Sequence, residues 1–311
     1  MNYQHAFHAG NFADVHKHVV LTRILEHLRA KPAAFRVIDS HAGAGRYDLM
    51  GPEPSRSGEW RDGIKRIWEG VSQDAQRRDG ALALLAPYLA CVTALNRDGE
   101  LRVYPGSPVI AQALLRPQDR LIACELEPRA AVLLKAALRG DRRSKVLTID
   151  GWTALSATIP PKERRGLVLV DPPFEEGADF MRLSGALGDA HRKWPTGIYM
   201  LWYPIKQRDA PEALARRLRQ LGVAKILRCE LRLGPPPAGA AVVDLRPVGA
   251  RSVGARFVGA RPVGPKLAGS GLILVNPPYP LEAELRLVLP ALARLLGPHA
   301  ASRLDWLAQR E

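Results

Sequence analysis

The chain has 311 residues, a formal net charge of +14 and a pI of about 10.1, with 47% hydrophobic residues. This apolar fraction is ordinary for a globular protein, and because no stretch reaches ~18 consecutive apolar residues, no membrane-spanning helix is expected. The positive charge favours a polyanionic partner such as nucleic acid, although a protein from a basic proteome would show the same balance.

A helix and a series of apolar strands can be placed in chain order. Apolar residues spaced three and four apart predict a helix over 13–30, which Pro32 ends. Short apolar runs between turn residues predict strands at 35–39, 121–124, 146–149, 167–170 and 198–202. Continuous apolar strands that alternate with helices predict an α/β fold with a mostly parallel sheet, covered on both faces.

Two further strands differ from these. Over 227–233, apolar residues alternate with Arg228, Glu230 and Arg232, which predicts a strand that is half exposed. A last apolar strand is predicted at 272–275. Because no helix separates the two, we expect them to form an antiparallel pair at the end of the sheet.

Two regions interrupt the alternation. Residues 46–117 are too long for one crossover and contain amphipathic helical patterns, so we expect an inserted helical subdomain within a main domain formed by 1–45 and 118–311. Residues 235–268 hold four tandem Arg-x-Val-Gly-Ala-like pentapeptides rich in glycine and proline. Their composition predicts a flexible loop. A tolerated expansion of a connecting loop is favoured over an arm that contacts nucleic-acid phosphates.

Residues that suit an adenosine ligand follow three successive strands. A small-residue turn with Gly43 and Gly45 follows the first strand and would let the backbone approach a ligand closely. Glu125 follows the second strand, where it could accept hydrogen bonds from both ribose hydroxyls. Asp150, which precedes Gly151, follows the third and could accept from an adenine amino group. Each residue alone is also typical of an ordinary loop, but ligands bind at the carboxyl ends of strands in open α/β sheets.

The fourth strand delivers the tetrad Asp171-Pro172-Pro173-Phe174. The N6 amine of adenine is a poor nucleophile because its lone pair is delocalised into the ring. The Asp171 carboxylate and the Pro172 carbonyl could accept both N6 hydrogens, on a turn that the prolines stiffen. Phe174 could stack on an extruded base. The tetrad therefore favours an S-adenosylmethionine-dependent methyltransferase that acts on adenine N6.

A second tetrad, Asn276-Pro277-Pro278-Tyr279, also suits amino methylation. It follows the strand expected to be antiparallel, whose carboxyl end should point away from the ligand edge. We therefore interpret this second tetrad as a structural turn.

At this point the sequence resembles the RlmJ family of bacterial 23S rRNA adenine-N6 methyltransferases. The segments that carry the resemblance are residues 2–18, 39–47, 104–108, 150–152, 171–174, 197–199 and 202–204. The N-terminal segment and the His-Ala-Gly-Ala-Gly-Arg-Tyr run are specific, whereas the Asp171 tetrad is shared by many amino methyltransferases. Departures from the family pattern are small: His16 replaces a usual leucine, Ser40 a usual threonine, and Tyr279 a usual tryptophan.

The resemblance implies a class I, Rossmann-like S-adenosylmethionine-dependent methyltransferase fold with an antiparallel last strand and a helical insertion after the first strand. It implies Asp171 as the catalytic acceptor and a single-subunit enzyme that acts on 23S ribosomal RNA. The cofactor contacts that we expect are His18, His41, Gly43, Ser107, Glu125, Asp150 and Gly151. The resemblance places Tyr3, His5 and Lys17 on the substrate side.

Other functional classes remain as alternatives. A DNA adenine-N6 methyltransferase shares the tetrad but would normally carry a target-recognition domain, and a non-catalytic RNA-binding assembly factor would not need the full acidic set. The histidines of the N-terminal region lack carboxylate or cysteine partners at ligand spacing, so no metal site is expected. Cys91, Cys124 and Cys229 form no paired motif and are expected to be reduced, buried thiols. With a polar N-terminus unlike a signal peptide, these features predict a cytoplasmic protein without a membrane or obligate protein partner.

Overall fold

An eight-stranded mixed sheet forms the centre of the structure, which is a computed structural model that describes residues 5–73, 80–174, 178–206, 209–234 and 267–309. The strands are β1 (Arg36–Asp39), β2 (Arg46–Asp48), β3 (Val103–Pro105), β4 (Arg120–Cys124), β5 (Ser144–Leu147), β6 (Gly166–Val170), β7 (Ile198–Ile205), β8 (Lys225–Arg232), β9 (Gly269–Val275) and β10 (Ala301–Gln309). The order across the large sheet is β10-β8-β9-β7-β6-β1-β4-β5, while β2 and β3 form a separate antiparallel pair.

Ten α-helices surround the strands in the described part of the chain. They are α1 (Phe12–Arg29), α2 (Pro52–Ser57), α3 (Ile64–Gln73), α4 (Gly80–Thr93), α5 (Ser107–Leu114), α6 (Pro128–Ala137), α7 (Gly151–Thr158), α8 (Asp179–Lys193), α9 (Asp209–Gln220) and α10 (Leu281–Leu296). Two short 3-10 helices lie at His5–Phe7 and Glu59–Asp62. None of the helices described is both long and apolar enough to cross a membrane.

Five adjacent strands, from β7 to the edge strand β5, are parallel, and β9 is antiparallel to both of its neighbours, β7 and β8. The strands predicted from apolar runs are all present, with bounds shifted by up to two or three residues. The expected antiparallel pair of β8 and β9 is confirmed, as is the α/β fold with a mostly parallel sheet. The sequence analysis missed β10, which pairs with β8 and forms the edge of the sheet beyond the pair.

The prediction that β8 is half exposed is wrong. Its residues from Ile226 to Leu231 are buried, and Arg228 and Glu230 are both 0% exposed. The alternating charges are satisfied inside the protein: Arg228 donates to both carboxylate oxygens of Asp305 on β10, at 3.0 and 2.8 Å, and to Glu212 on α9. Burying these charges has a desolvation cost, which the pairing with carboxylates offsets. The alternation of charged and apolar residues therefore does not require an exposed face.

Two layers of helices bury the faces of the sheet. Helix α1 packs against β9 on one side, together with α4, α5 and α10, and the apolar residues there form the larger core. On the other side, α8 and α9 pack against β7 and enclose a second core. Because both faces are covered, functional groups can reach solvent chiefly where strands end.

The described part of the predicted insertion, 46–117, contains β2, β3 and helices α2 to α5. Helix α4 packs against α1 and α10, and α5 against β1 and β4. The repeat-containing loop predicted at 235–268 lies outside the described residues, except for 267 and 268.

Candidate active site

The predicted functional residues converge at one edge of the sheet. Strand β1 lies between β4 and β6, and all three run in the same direction. The glycine turn after β1, Glu125 after β4 and Asp171 after β6 therefore lie at the same edge, and Asp150 follows the adjacent parallel strand β5. The structure thus brings together the strand-end residues that the sequence analysis selected.

The glycine turn and Glu125 are joined directly. Gly43 and Gly45 have φ angles of +62° and +79°, the left-handed region that favours glycine. The Gly43 amide donates to Oε2 of Glu125 at 2.8 Å, and the Glu127 amide donates to Oε1 at 2.8 Å. Two backbone donors therefore fix the carboxylate beside the turn, as an acceptor for ribose hydroxyls requires.

His41 and Gly151 are in close contact. A Cβ atom at Gly151 would lie 2.6 Å from Nε2 of His41 and 2.3 Å from the Ser40 carbonyl, so only glycine fits there. Burial lowers the pKa of His41 to about 4, so the ring is neutral at physiological pH. Its ring meets the edge of Trp152 at a centroid distance of 5.3 Å. This pair forms an uncharged wall that suits a flat heterocycle.

Asp150 has a structural role as well as its predicted one. Its Oδ2 accepts hydrogen bonds from the Thr153 amide at 2.9 Å and the Thr153 hydroxyl at 3.1 Å, so it caps the N-terminus of α7. The guanidinium of Arg182 lies over the Trp152 ring, 4.7 Å from its centroid, and Nη2 is 4.0 Å from the same oxygen. The cap fixes the carboxylate at the ligand edge.

Two buried polar atoms at this edge have no partner among the residues that the structure describes. Asp39 is 1% exposed; its Oδ2 accepts from the Ser107 hydroxyl at 2.7 Å, while its Oδ1 is unpartnered. His18 shares a hydrogen bond with the Tyr104 hydroxyl through Nδ1, and its Nε2 is unpartnered. Because buried polar groups are nearly always satisfied, these atoms fit the polar groups of a ligand. The sequence analysis assigned no role to Asp39, although its place directly before the glycine turn could have indicated one.

Burial also sets the protonation of these two groups. It raises the pKa of Asp39 to about 7 and lowers that of His18 to about 3. His18 is therefore neutral, and Asp39 changes charge near physiological pH when no ligand is bound.

Asp171 is bound to the N-terminal segment through Lys17. The Lys17 ammonium contacts Oδ2 of Asp171 and lies 2.8 Å from Oδ1 of Asp14. Asp14 also accepts from the Gly10 amide at 3.0 Å and lies 3.1 Å from Nε2 of His5. The structure therefore brings together two of the residues expected on the substrate side, Lys17 and His5. Tyr3 lies outside the described residues.

Asp14 is the hub of this cluster, and sequence reasoning missed it. It is 2% exposed. Burial would raise its pKa, but Lys17 and His5 lower it well below its usual value. Burial likewise opposes the charge on Lys17, but Asp14 and Asp171 raise its pKa above its usual value. The one available signal was its position three residues before Lys17, on the first turn of α1.

The tetrad ends in an aromatic cluster. Pro172 is buried, and Asp171 and Phe174 are partly exposed. The Phe174 ring lies 4.9 Å from that of Phe180 and 5.7 Å from that of Trp202, measured between centroids. Phe174 thus has the exposed aromatic surface that stacking on a base requires, and Phe180 and Trp202 are neighbours that the sequence analysis did not identify.

The other histidines and the cysteines have ordinary roles in the structure. His8 lies 2.9 Å from Glu59, and His16 is buried between Ser270 and Cys229. Among the residues described, no group of three or more histidine, cysteine, aspartate or glutamate side chains could hold a metal ion. All three cysteines are free and buried, as predicted.

The second tetrad lies at the opposite edge. Strand β9 ends where β7 begins, with Val275 paired to Tyr199. Asn276 donates from its side-chain amide to the carbonyls of Pro195 and Gly197, at 2.7 and 2.8 Å. The tetrad therefore lies at the edge opposite the Asp171 tetrad, as the antiparallel direction of its strand predicted; that it is only a structural turn stays a prediction.

Comparison with known proteins gives a consistent result. A family model described as "Ribosomal RNA large subunit methyltransferase D, RlmJ" matches residues 32–241. Two curated relatives are named "Ribosomal RNA large subunit methyltransferase J". The one from Escherichia coli K12 is 39% identical over 96% of this chain and 95% of its own length, and the one from Haemophilus influenzae Rd is 36% identical over 99% of both. The crystal structure of protein LPL1258 from Legionella pneumophila matches 96% of this chain and 98% of that one, at 31% identity and a TM-score of 0.79.

Proposed function

The chain belongs to the RlmJ family of ribosomal RNA large subunit methyltransferases, and we propose from this that it methylates the N6 amine of an adenine in 23S rRNA. The observation that carries the proposal is the position of Asp171. It lies at the carboxyl end of β6, among the strand-end residues of β1, β4 and β5, and beside the Lys17 ammonium.

The proposed methyl donor is S-adenosylmethionine, whose sulfonium supplies an electrophilic methyl group when it is bound. The residues proposed to hold it are His18, His41, Gly43, Ser107, Glu125, Asp150 and Gly151, with Asp39 added from the structure. The unpartnered buried atoms of Asp39 and His18, the backbone-bound Glu125 carboxylate and the His41–Trp152 wall all fit such a ligand.

On the substrate side, Asp171 and the Pro172 carbonyl accept the two N6 hydrogens of the target adenine. This arrangement directs the nitrogen lone pair toward the methyl group. The contact with the Lys17 ammonium fixes the position of the accepting Asp171 side chain. The amine proton then leaves to Asp171 or to solvent. Phe174 stacks on the extruded base.

The rest of the chain is assigned with the same proposal. Residues 1–45 and 118–311 form the methyltransferase domain, and 46–117 are an insertion in it. Tyr3 and His5 contact the substrate from the N-terminal segment, the buried Lys17 acts on the substrate side through Asp171, and the +14 charge supports binding of a polyanion. We propose that the enzyme acts as a monomer in the cytoplasm, without an obligate protein partner.

The test is the variant Asp171→Ala. It should abolish transfer of labelled methyl groups to 23S rRNA transcripts, because the acceptor for N6 is lost, while calorimetry should show nearly unchanged cofactor binding. The matched control is Tyr279→Ala in the second tetrad, whose side chain is 98% exposed and which should retain full activity. Retained transfer by Asp171→Ala would contradict the assignment. A parallel DNA substrate that is methylated in preference to RNA would instead make the enzyme a DNA adenine methyltransferase.

A further inference from the structure

The aromatic cluster beside the tetrad is supported by a chain of buried polar groups. Nε1 of Trp202 donates to Oγ of Ser270 at 3.0 Å. The same Oγ lies 3.0 Å from Nδ1 of His16, whose Nε2 lies 3.0 Å from Sγ of Cys229. These contacts connect β7, β9, α1 and β8 in one line behind the Trp202 indole.

None of the groups behind Trp202 can act on a substrate directly. His16, Ser270 and Cys229 are each 0% exposed. Burial lowers the pKa of His16 to about 3, so the imidazole is neutral and carries a single N–H. The chain is therefore a set of neutral hydrogen bonds in an apolar interior, where each bond is strong and each unsatisfied group is costly.

Trp202, in contrast, reaches the candidate site. It is only partly buried, and its ring meets that of Phe174 in an edge-to-face arrangement, with 70° between the planes. A fixed partner for the single N–H donor of an indole restricts the orientation of the ring beyond what packing alone does. Ser270 supplies this partner from the start of β9, where it lies opposite Pro204 on β7.

We propose that Trp202 forms a wall of the pocket for the target adenine, and that Ser270, held by His16, is a positioning residue that fixes the Trp202 indole against Phe174. The inference rests on the proposed adenine substrate. It adds to the site Trp202, Ser270 and His16, which do not follow the carboxyl end of a strand. The wall sets the angle at which an extruded base can stack on Phe174, and therefore how well its N6 amine meets Asp171.

The experiment compares four proteins: wild type, Ser270→Ala, Trp202→Phe and the double variant. Ser270→Ala should lower kcat/KM for rRNA transcripts about tenfold, the equivalent of one buried hydrogen bond, with cofactor affinity unchanged by calorimetry. In the Trp202→Phe background, which has no Nε1 donor, adding Ser270→Ala should change kcat/KM less than about twofold. The two substitutions should be non-additive in this way if Ser270 affects activity only by positioning Trp202.

The control is Tyr199→Phe on the same strand. Tyr199 is buried, and its hydroxyl donates to the carbonyls of Ala190 and Trp194, at 2.9 and 2.7 Å, away from the site. This variant should lower the melting temperature without changing kcat/KM for RNA in either background. A second variant, His16→Leu, leaves the Trp202–Ser270 bond but removes its support, and should give a smaller loss, about threefold, that also disappears in Trp202→Phe.

The outcomes separate this inference from the proposed function. Equal losses from Ser270→Ala in both backgrounds, or no loss in either, would overturn the positioning role while wild-type transfer to RNA still supports the proposed function. If Ser270→Ala does not fold, the same comparison is made with His16→Leu, in the wild-type and in the Trp202→Phe background. An inactive wild-type enzyme on adenine in RNA would contradict the proposed function itself.

Discussion

The two proline tetrads of this chain share their two prolines but lie at opposite edges of the sheet. Asp171-Pro172-Pro173-Phe174 follows a parallel strand, so it reaches the edge proposed to bind the ligands, and the Lys17 ammonium contacts its carboxylate. Asn276-Pro277-Pro278-Tyr279 follows an antiparallel strand and reaches the other edge, where the Asn276 amide closes onto two loop carbonyls. The direction of the preceding strand, more than the tetrad itself, thus decides whether such a motif can contact substrate.

The two edges also differ in their polar groups, although each holds a buried atom without a partner among the described residues, which at the second edge is Nε1 of Trp194. The edge of the Asp171 tetrad holds unpartnered buried atoms on Asp39 and His18, and a carboxylate that shares a cation. At the other edge, Asn276 adopts a left-handed φ of +51°, and its side-chain amide donates hydrogen bonds to two carbonyls. We therefore expect substitutions at the first edge to change activity and its pH dependence, and substitutions at the second to change stability alone.

The largest effect is expected for Asp14→Asn. It removes one of the two carboxylates that hold the buried Lys17 ammonium, so Lys17 should shift and kcat should fall by about 10–100-fold. At pH 7 the free energy of unfolding should decrease by about 3 kcal/mol, since a buried cation loses a partner. Because the pKa of Asp14 is lowered in the folded protein, this contribution is present above pH 4 and is lost only as the pH falls through that lowered value.

Urea unfolding of Asp14→Asn and wild type at pH 7, 5 and 3, with single-turnover rates at pH 7, would check the prediction. Glu26→Gln is the matched control, since Glu26 lies on the same helix and pairs only with the partly exposed Arg29. A stability difference that is already lost at pH 5 would contradict the assignment.

An effect of opposite sign, on stability rather than on kcat, is expected for Asp39→Asn. Burial raises the pKa of Asp39 to about 7, so between pH 4 and 7 the unfolded chain ionises at this residue while the folded, ligand-free protein does not, and the folded protein loses stability as the pH rises through this range. Asparagine removes this cost and can still accept from Ser107, so the variant should be more stable than wild type above pH 7, by up to about 4 kcal/mol. The two should converge near pH 4. Melting temperatures of both proteins across this range, without and with cofactor, would measure this difference. A difference that does not change with pH would contradict the raised pKa of Asp39.

The smallest effect is expected for Asn276→Ala at the other edge. Two hydrogen bonds are lost and alanine must adopt a left-handed φ, so the free energy of unfolding should decrease by about 2 kcal/mol, while kcat of the folded enzyme stays unchanged. Asn276→Gly relieves the backbone strain and should recover part of the loss. A fall in kcat at a temperature where the variant is fully folded would contradict the separation of the two edges.

Much of the fold and half of the site could be predicted because their signals are local. An apolar run predicts a buried strand, and the residue that follows it, such as Gly43, Glu125 or Asp171, is then predicted to lie at the carboxyl end of that strand. Neither prediction needs the rest of the chain. The helices around them are indicated by spacing on one face, as for α1, where the prediction differs by one residue at each end.

The features that could not be predicted depend on partners that are distant in sequence. Arg228 looked like a solvent-facing charge because nothing nearby revealed Asp305, 77 residues further along. Asp14 pairs with Lys17, and the importance of that lysine depends on its contact with Asp171, 154 residues further along the chain. Ser270 resembles any small strand residue until its hydroxyl is seen beside Trp202 and His16. Such residues have no distinctive pattern of their own.

The pairing of Arg228 with Asp305 has a consequence for synthesis on the ribosome. Strand β8 emerges well before β10, so during that interval the guanidinium has no carboxylate from β10 to enter the interior with. Burying it with the carboxylate of Glu212 but without that of Asp305 leaves its charge incompletely compensated, so this half of the sheet should stay open until residues 301–309 have left the exit tunnel. The parallel strands can settle earlier, and nascent chains arrested before residue 301 should be cut by protease preferentially at β8 and its neighbours.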